Sequence, residues 1–145
     1  MAYPVRMATI LAKLNTFIPK EVAQRIVAQP RTKAYGRLSI LAQWRCDAKI
    51  VMEIPPVAST PSPRVTSAVV HLERLEKPRF KANAKILTWV VAQAFGQRRK
   101  MLRSSLRGIT TDLEDQLLAA EINPTQRAEE VGLKQFCMLS ELIQK

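Results

Sequence analysis

The sequence is short of the residues from which most catalytic and metal sites are built. Its 145 residues include one histidine, His71, and two cysteines, Cys46 and Cys137. Two cysteines exclude a four-cysteine zinc site and a secreted disulfide scaffold, and they favour a reducing compartment such as the cytoplasm. A single histidine excludes a histidine-rich metal site and weakens any nucleophilic triad. We predict that both cysteines are buried small apolar residues and that His71 has a structural or surface role.

Glycine-rich loops and long apolar runs are missing as well. The four glycines form neither a G-x-G nor a G-x-x-x-x-G-K pattern, so no loop that would hold a dinucleotide or a phosphate is visible. No apolar run approaches the roughly 18 residues of a membrane-spanning helix, which predicts that the chain does not span a membrane. The hydrophobic fraction of 47% is nevertheless sufficient to form a buried core.

Carboxylates are absent from residues 77–111, although this stretch carries nine lysines and arginines. Residues 112–145 show the reverse balance, with three basic and seven acidic side chains. The whole chain has a formal net charge of +11. Because a protein surface normally interleaves both signs, the acid-free stretch predicts a polyanionic partner, with nucleic acid preferred to a membrane surface. The alternative is a solvated helical face on which basic residues cluster by chance.

Residues 17–76 combine helical and strand patterns. Apolar spacing predicts helices over 20–29 and 34–46, and short β-branched runs predict strands over 49–54 and 65–72. These strands would form part of a larger sheet, and the open edge of such a sheet predicts self-association.

Two segments of this half are not assigned to regular elements. Residues 55–64 hold four of the nine prolines, which predicts a stiff extended loop. Residues 1–16 contain Arg6, Lys13 and no acid, as an amphipathic targeting segment would, but the stretch is short and poor in arginine. We treat 1–16 as an unassigned N-terminal segment.

The pattern becomes wholly helical after Pro78. Apolar residues recur at helical spacing over 86–95, and a second helix is predicted over 97–109. The second helix would carry basic residues at four-residue steps along one flank: Arg99, Arg103 and Arg107.

Three further signals extend this helical region. Thr111 and Glu114 form a capping-box pattern that predicts a helix from about residue 112. Asn123-Pro124 predicts the start of a short helix, and the last helix is expected over about 133–143. The fold class is therefore α+β: a partial sheet with helices, followed by a small all-helical domain over 79–145.

Four segments together resemble the small-subunit ribosomal RNA adenine N6,N6-dimethyltransferase family. They occur in the family's order and spacing: KEVAQRIVAQPRTKAYGRLSILAQWRC (20–46), IPPVASTPSPRVTSAVVHL (54–72), QAFGQRRKMLRSSL (93–106) and INPTQRAEEVGLKQFC (122–137). The resemblance covers about 17–145 and is closest to alphaproteobacterial members. The runs KAYGRLS and AFGQRRKMLRSSL are its most specific parts.

The resemblance implies a fold and an activity. Residues 17–76 would be the C-terminal part of a Rossmann-like methyltransferase domain, and 79–145 would be a helical RNA-binding domain. Family members transfer four methyl groups from S-adenosylmethionine to two adjacent adenines of small-subunit rRNA during ribosome maturation. The family's glycine-rich donor loop, ribose-binding acid and Asn-Leu-Pro-Tyr motif have no counterpart here. We therefore expect S-adenosylmethionine as the family's cofactor, with its binding motif absent from this chain and the chain inactive alone.

The family's substrate loop, Phe-x-Pro-x-Pro, corresponds to Ser59-Thr60-Pro61-Ser62-Pro63 in this sequence. The resemblance thus places Ser59, Pro61, Pro63 and Arg64 at substrate-loop positions. In the family an aromatic side chain stacks on the flipped adenine at this loop. Stacking contributes roughly 1–3 kcal/mol per base, and a serine hydroxyl cannot replace it.

The acid-free stretch supplies a second set of candidate site residues, expected to contact RNA phosphates without reading sequence. They are Lys81, Lys85, Arg98, Arg99, Lys100, Arg103 and Arg107. The alternative is that Arg98 and Arg99 cap helix ends and pair with Glu129 and Glu130.

Three functional hypotheses remain open from the sequence. The first is the C-terminal part of an rRNA dimethyltransferase, with small-subunit rRNA or the pre-small-subunit ribosome as partner. The second is a non-catalytic RNA-binding or ribosome-assembly module, which Ser59 favours. The third is a DNA-binding helical module, supported by charge alone.

Overall fold

The computed structural model describes residues 13–56 and 66–143 and has an α+β architecture with one small antiparallel sheet. In chain order its elements are β1 (Lys13–Pro19), α1 (Lys20–Val27), α2 (Arg37–Arg45), β2 (Cys46–Ile54), β3 (Ser67–Arg74), α3 (Ala84–Gly96), α4 (Leu102–Ser105), α5 (Leu113–Ala119), a 3₁₀ turn (Ala128–Glu130) and α6 (Leu133–Ile143). The predictions for residues 1–12 and for the substrate-loop residues Ser59, Pro61, Pro63 and Arg64 lie outside the described residues. No helix of the described ranges is long and apolar enough to cross a membrane.

The sheet has the strand order β1-β3-β2, with both pairs antiparallel. Ala68 and Val70 of the central strand β3 are buried with Ala23 of α1, so α1 covers one face of the sheet. On the other face, the β1 residue Phe17 pairs in register with Val69 and remains 63% exposed. One face of the sheet therefore contributes to a core, and the other is left open by the part of the chain that the structure describes.

Strand β1 crosses the boundary that the sequence suggested at residue 16. The sequence pattern did not predict this strand. Its alternation is short, and Pro19 ends it immediately before α1. Proline is tolerated there because β1 is an edge strand, and the pairing continues through the Lys20 amide, which donates to the Thr66 carbonyl at 2.8 Å.

The main core joins the helices after Pro78 to α2, which precedes β2 in the chain. Ile40 and Trp44 of α2 are buried in one cluster with Leu87 of α3 and Phe136 of α6. The Trp44 indole donates to the Phe80 carbonyl at 2.8 Å, which satisfies its only polar group. The helix α2 is therefore shared between the sheet and the helical region.

Arg79 also stabilises the contact between α2 and the helical region. Its Nε donates to the Gln43 carbonyl at 2.9 Å, and an Nη donates to the Cys46 carbonyl at 3.2 Å. These carbonyls lie at the C-terminal end of α2, where a cation is favoured by the helix dipole. Arg79 thus acts as a helix cap.

The helix predicted over 97–109 is wrong. Residues 97–100 form a turn, α4 is a single turn of four residues, and Gly108 adopts a left-handed conformation at φ +88°. Leu102 and Leu106 are buried as the spacing predicted, because a short turn brings residues four apart to one side as well. A single helical turn therefore replaces the continuous helix, and Arg99, Arg103 and Arg107 do not share one helix.

The helix predicted from about residue 112 is confirmed as α5, although its cap differs from the prediction, whereas the helix start predicted at Asn123 is wrong. The cap position of α5 is Asp112 rather than Thr111, and no side chain caps it. Asn123 does not begin a helix: its Oδ1 accepts from the amide and hydroxyl of Thr125 at 3.0 and 2.8 Å. Such a local side-chain bond competes with helix formation. The next regular element is the 3₁₀ turn.

The predictions for the remaining special residues are largely confirmed. Cys137 is buried, whereas Cys46 is only half-buried at the start of β2. His71 is half-buried on β3, with its Nδ1 2.7 Å from Oδ1 of Asn15, which fits a structural role on the sheet.

Candidate nucleic-acid interface

The chain turns sharply at the C-terminal end of α3 and exposes consecutive basic side chains there. Arg98, Arg99 and Lys100 occupy this turn, and Arg103 and Arg107 follow on and beyond α4. Within the described residues, none of these five side chains forms an ion pair within 4.0 Å. We call this set the basic turn. Because its charges are exposed and none of them forms such an ion pair, they remain available for an anionic ligand.

The structure separates Lys81 and Lys85 from the basic turn. Lys85 lies in the first turn of α3, at the opposite end of a 13-residue helix. At 1.5 Å per residue that helix is about 20 Å long. Lys81 approaches Glu141 of α6 at 3.9 Å. The seven residues predicted from the sequence therefore form two groups rather than one continuous surface.

Arg98 has a structural role that distinguishes it from its neighbours. Its Nη2 donates to the Tyr35 carbonyl at 2.6 Å, and its guanidinium lies 5.6 Å from the centre of the Phe95 ring. The alternative predicted from the sequence was that Arg98 and Arg99 pair with Glu129 and Glu130. Arg98 instead donates to a carbonyl, and Glu130 pairs with Arg31 at 3.1 Å. Arg98 therefore joins the end of α3 to the segment before α2.

Carboxylates lie close to the other end of the basic turn. Arg103 and Arg107 share an open cavity of about 410 Å³ with Asp112, Glu114 and Asp115. The acids suit the N-terminal end of α5, where the helix dipole favours negative charge. They also reduce the positive potential near Arg107, so Arg98, Arg99 and Lys100 are the least compensated part of the turn.

A second cluster of basic residues, which the sequence analysis missed, lies beside Arg98. Arg25 of α1, Lys33, Arg37 of α2 and Arg98 line one cleft of about 390 Å³, and no carboxylate of residues 13–56 or 66–143 lines it. These residues are up to 73 positions apart, so no local pattern could have grouped them. We call this feature the basic cleft. It extends the positive surface from the basic turn toward the sheet.

The segment between α1 and α2 is held against the helical region by Arg31 and Tyr35. The Arg31 amide donates to the Glu129 carbonyl at 2.8 Å, and Arg31 adopts a left-handed φ of 71°. The Tyr35 hydroxyl donates to the Val131 carbonyl at 2.7 Å, and burial raises the pKa of Tyr35. The segment that forms one wall of the basic cleft is therefore held in place by hydrogen bonds to the helical region.

Glu130 completes this attachment. The Arg127 amide donates to Oε1 of Glu130 at 3.0 Å, and this bond, assisted by Arg31, lowers the pKa of the Glu130 carboxyl below its ordinary value. The carboxylate is thus kept ionised where it binds Arg31.

No alternative catalytic or metal site emerges from the described residues. They contain no group of three histidine, cysteine or carboxylate side chains that could hold a metal ion. Burial raises the pKa of the Cys137 thiol to about 12, so it is not a thiolate nucleophile near neutral pH. S-adenosylmethionine carries a sulfonium cation, which the four cations of the basic cleft would repel, so the cleft does not fit the donor.

Comparisons with known proteins identify the family of the chain. The family model described as ribosomal RNA adenine dimethylase matches residues 5–145. A Ribosomal RNA small subunit methyltransferase A of Ruegeria pomeroyi is 61% identical over 127 residues, covering 88% of this chain and 46% of that protein. Its counterpart in a Jannaschia species is 57% identical over 131 residues, covering 90% of this chain and 45% of that protein.

Solved structures show the same fold at low sequence identity. A dimethyladenosine transferase from Plasmodium falciparum superposes with a TM-score of 0.75 at 18% identity, covering 96% of this chain and 62% of that one. The 23S rRNA methyltransferase ErmE gives a TM-score of 0.63 at 19% identity, covering 100% of this chain and 63% of that one. The chain spans about half the length of the curated relatives it matches, and that half is the C-terminal one. The chain belongs to the ribosomal RNA adenine dimethylase family.

Proposed function

We propose that this chain is the RNA-binding C-terminal half of an rRNA adenine N6,N6-dimethyltransferase, and that it binds small-subunit rRNA in the cytoplasm through the basic turn. The observation that carries the proposal is the exposed run of Arg98, Arg99 and Lys100, with Arg103 beside it, none of which forms an ion pair within 4.0 Å among the described residues. Contacts of this kind fix the position of RNA without selecting its sequence.

The proposal also divides the chain into two parts. Residues 17–76 are the last portion of a Rossmann-like methyltransferase domain, and 79–145 are the helical domain that carries most of the phosphate contacts. Lys81 and Lys85 form a secondary contact at the other end of α3. Ser59, Pro61, Pro63 and Arg64 occupy the substrate loop, where Ser59 provides no ring for the extruded adenine.

Charge reversal in the basic turn tests the binding proposal. Arg99→Glu combined with Arg103→Glu should weaken the affinity for a small-subunit rRNA fragment by about tenfold or more at low salt, because carboxylates replace two cations that bind phosphate. Lys49→Glu combined with Lys134→Glu changes the net charge equally at positions elsewhere on the molecule and serves as control. Equal affinities for the two double variants in fluorescence anisotropy would refute the placement.

We propose that the methyl donor is bound by residues outside this chain. Family membership implies S-adenosylmethionine, and the basic cleft has the wrong sign of charge for it. Purified chain with labelled donor and unmethylated small subunits should incorporate no methyl groups above background. Incorporation above background would overturn this part of the proposal and would also exclude the second candidate, a non-catalytic ribosome-assembly module.

The open face of the sheet supports self-association. Phe17 and Met52 pair in register with Val69 and are 63% and 55% exposed, so they form an apolar strip across three strands. Sedimentation velocity should show a larger species as concentration rises, and Phe17→Lys should suppress it. Trp89→Lys, at an exposed position of α3, is the control and should not. A monomer at all concentrations would contradict self-association.

A further inference from the structure

We infer that the basic cleft is a second phosphate site, in which Lys33 and Arg37 bind a backbone phosphate of the same RNA that contacts the basic turn. The inference rests on the proposed RNA-binding function and goes beyond it, because it adds residues from α1, α2 and the segment between them. Part of the proposed RNA contact is therefore made by Lys33 and Arg37, which precede β2 and lie outside the acid-free stretch 77–111.

Charge is the first argument for the site. Four cationic side chains line a cleft that contains no carboxylate, and of these only Arg25 has a close acidic partner among the described residues, Glu21 at 2.8 Å. Lys33 and Arg37 form no ion pair with a described carboxylate. Like charges grouped in this way repel one another, and a bound anion would relieve the repulsion.

Rigidity is the second argument. The hydroxyl of Ser39 donates to the Arg25 carbonyl and accepts from the Gly36 amide, so it ties α1 to the start of α2. Arg98 donates to the Tyr35 carbonyl and holds the opposite wall. A site whose walls are already hydrogen-bonded loses little conformational entropy on binding a ligand.

The third argument is the backbone at the start of α2. Gly36 occupies the cap position of this nine-residue helix and has no side chain to accept from the amides of the first turn, although Ser39 accepts from the Gly36 amide itself. A Cβ added at Gly36 would lie 3.9 Å from an Nη of Arg98, so this end of α2 lies beside one of the cations of the cleft. Helix ends of this kind add a partial positive charge to a phosphate site.

The charge and the position of the cleft select the ligand, and its volume is compatible with one. The cleft of about 390 Å³ is within the roughly 300–1,000 Å³ range of small-ligand pockets. Arg98 belongs both to the cleft and to the basic turn, so one nucleic-acid strand can contact both. A phosphate group of that strand is therefore the occupant that the geometry favours, and a free polyphosphate is the competing source of the same chemistry.

Charge reversal inside the cleft is the first arm of the test. Lys33→Glu with Arg37→Glu should weaken RNA affinity by about tenfold or more and make the log–log salt slope less negative by about 0.7 for each phosphate that is no longer bound. Lys49→Glu with Lys134→Glu is the matched control. If the cleft variant behaves like the control while Arg99→Glu with Arg103→Glu still weakens binding, the cleft site is wrong and the proposed function stands. If neither variant weakens binding, the proposed function fails as well.

A carboxylate placed in the cleft is the second arm. Gly36 has an extended backbone (φ −169°) that any residue can adopt, so Gly36→Asp should fold and cap α2. It should raise the melting temperature while weakening RNA binding, whereas Gly36→Asn adds similar bulk without charge and should weaken binding far less. A more stable Gly36→Asp protein with undiminished RNA affinity would overturn the site. Pyrophosphate that competes with RNA equally well for the wild type and for the Lys33→Glu, Arg37→Glu variant would overturn it too.

Discussion

Single residues show where this fold leaves polar groups in unusual surroundings. Ser105 of α4 is buried, and its hydroxyl has no hydrogen-bond partner among the described residues. Ser140 of α6 is also buried, but its hydroxyl donates to the Phe136 carbonyl at 2.8 Å. A buried polar group costs free energy unless it is hydrogen-bonded, so these two serines should respond differently to the same substitution.

We expect Ser105→Ala to increase the free energy of unfolding by about 1 kcal/mol, because it removes an unsatisfied hydroxyl without leaving a large cavity. Ser140→Ala removes a satisfied hydroxyl and should leave the stability unchanged or lower it. Urea denaturation followed by circular dichroism measures both. A lower stability for Ser105→Ala would show that its hydroxyl has a partner.

Glu130 makes the attachment of the segment between α1 and α2 to the helical region depend on pH, because its carboxylate pairs with Arg31. Its pKa is lowered in the folded state, so its contribution to stability is fully present above the ordinary value of 4.5 and is lost as the pH falls through the folded value. Glu130→Gln should therefore flatten the stability–pH curve below about pH 4.5. Denaturant unfolding between pH 3 and pH 6 tests this, with Glu53→Gln on the sheet as control. If Glu130→Gln loses stability between pH 4.5 and pH 3 as steeply as the wild type does, Glu130 does not have this role.

At the scale of elements, the spacing of apolar residues predicted the bounds of helices and strands well where one face of the element is buried and the other is exposed. Helix α3 was expected over 86–95 and spans Ala84–Gly96, and strand β3 was expected over 65–72 and spans Ser67–Arg74. The helix predicted over 97–109 failed because the burial of Leu102 and Leu106 does not distinguish a helix from a turn.

The candidate site could be predicted only where it is local in sequence. Arg98, Arg99 and Lys100 are consecutive, so composition found them. Arg37 and Lys33 meet Arg98 only through the path of the chain between α1 and α2. That path depends on Arg31 and Tyr35 bonding to carbonyls near residue 130, which no sequence periodicity encodes.

The attachment of this connecting segment is directly testable. Tyr35→Phe removes the donor to the buried Val131 carbonyl and should lower the free energy of unfolding by about 1–3 kcal/mol. Because the segment carries Lys33, the same variant should also show faster hydrogen exchange over 28–36. Thr88→Val, which removes an exposed hydroxyl bond on α3, is the control. Equal stability and exchange in both variants would contradict the attachment.

At the scale of the whole molecule, the charge of the chain is concentrated rather than spread. The basic turn and the basic cleft adjoin through Arg98, while the acids of residues 112–145 lie largely on and around α5, the 3₁₀ turn and α6. One positive surface therefore runs from α4 toward α1. We propose that this surface is where ribosomal RNA binds.

The salt dependence of RNA binding tests that claim most directly. If about five phosphates are contacted in single-stranded or irregular RNA, the slope of log affinity against log salt should be about −3.5, and binding should weaken roughly a hundredfold between 50 and 200 mM salt. Fluorescence anisotropy of the full chain with a small-subunit rRNA fragment measures this slope. Retention of RNA at low ionic strength with that slope is the predicted result, and no retention at low ionic strength, or a slope near zero, would contradict the account.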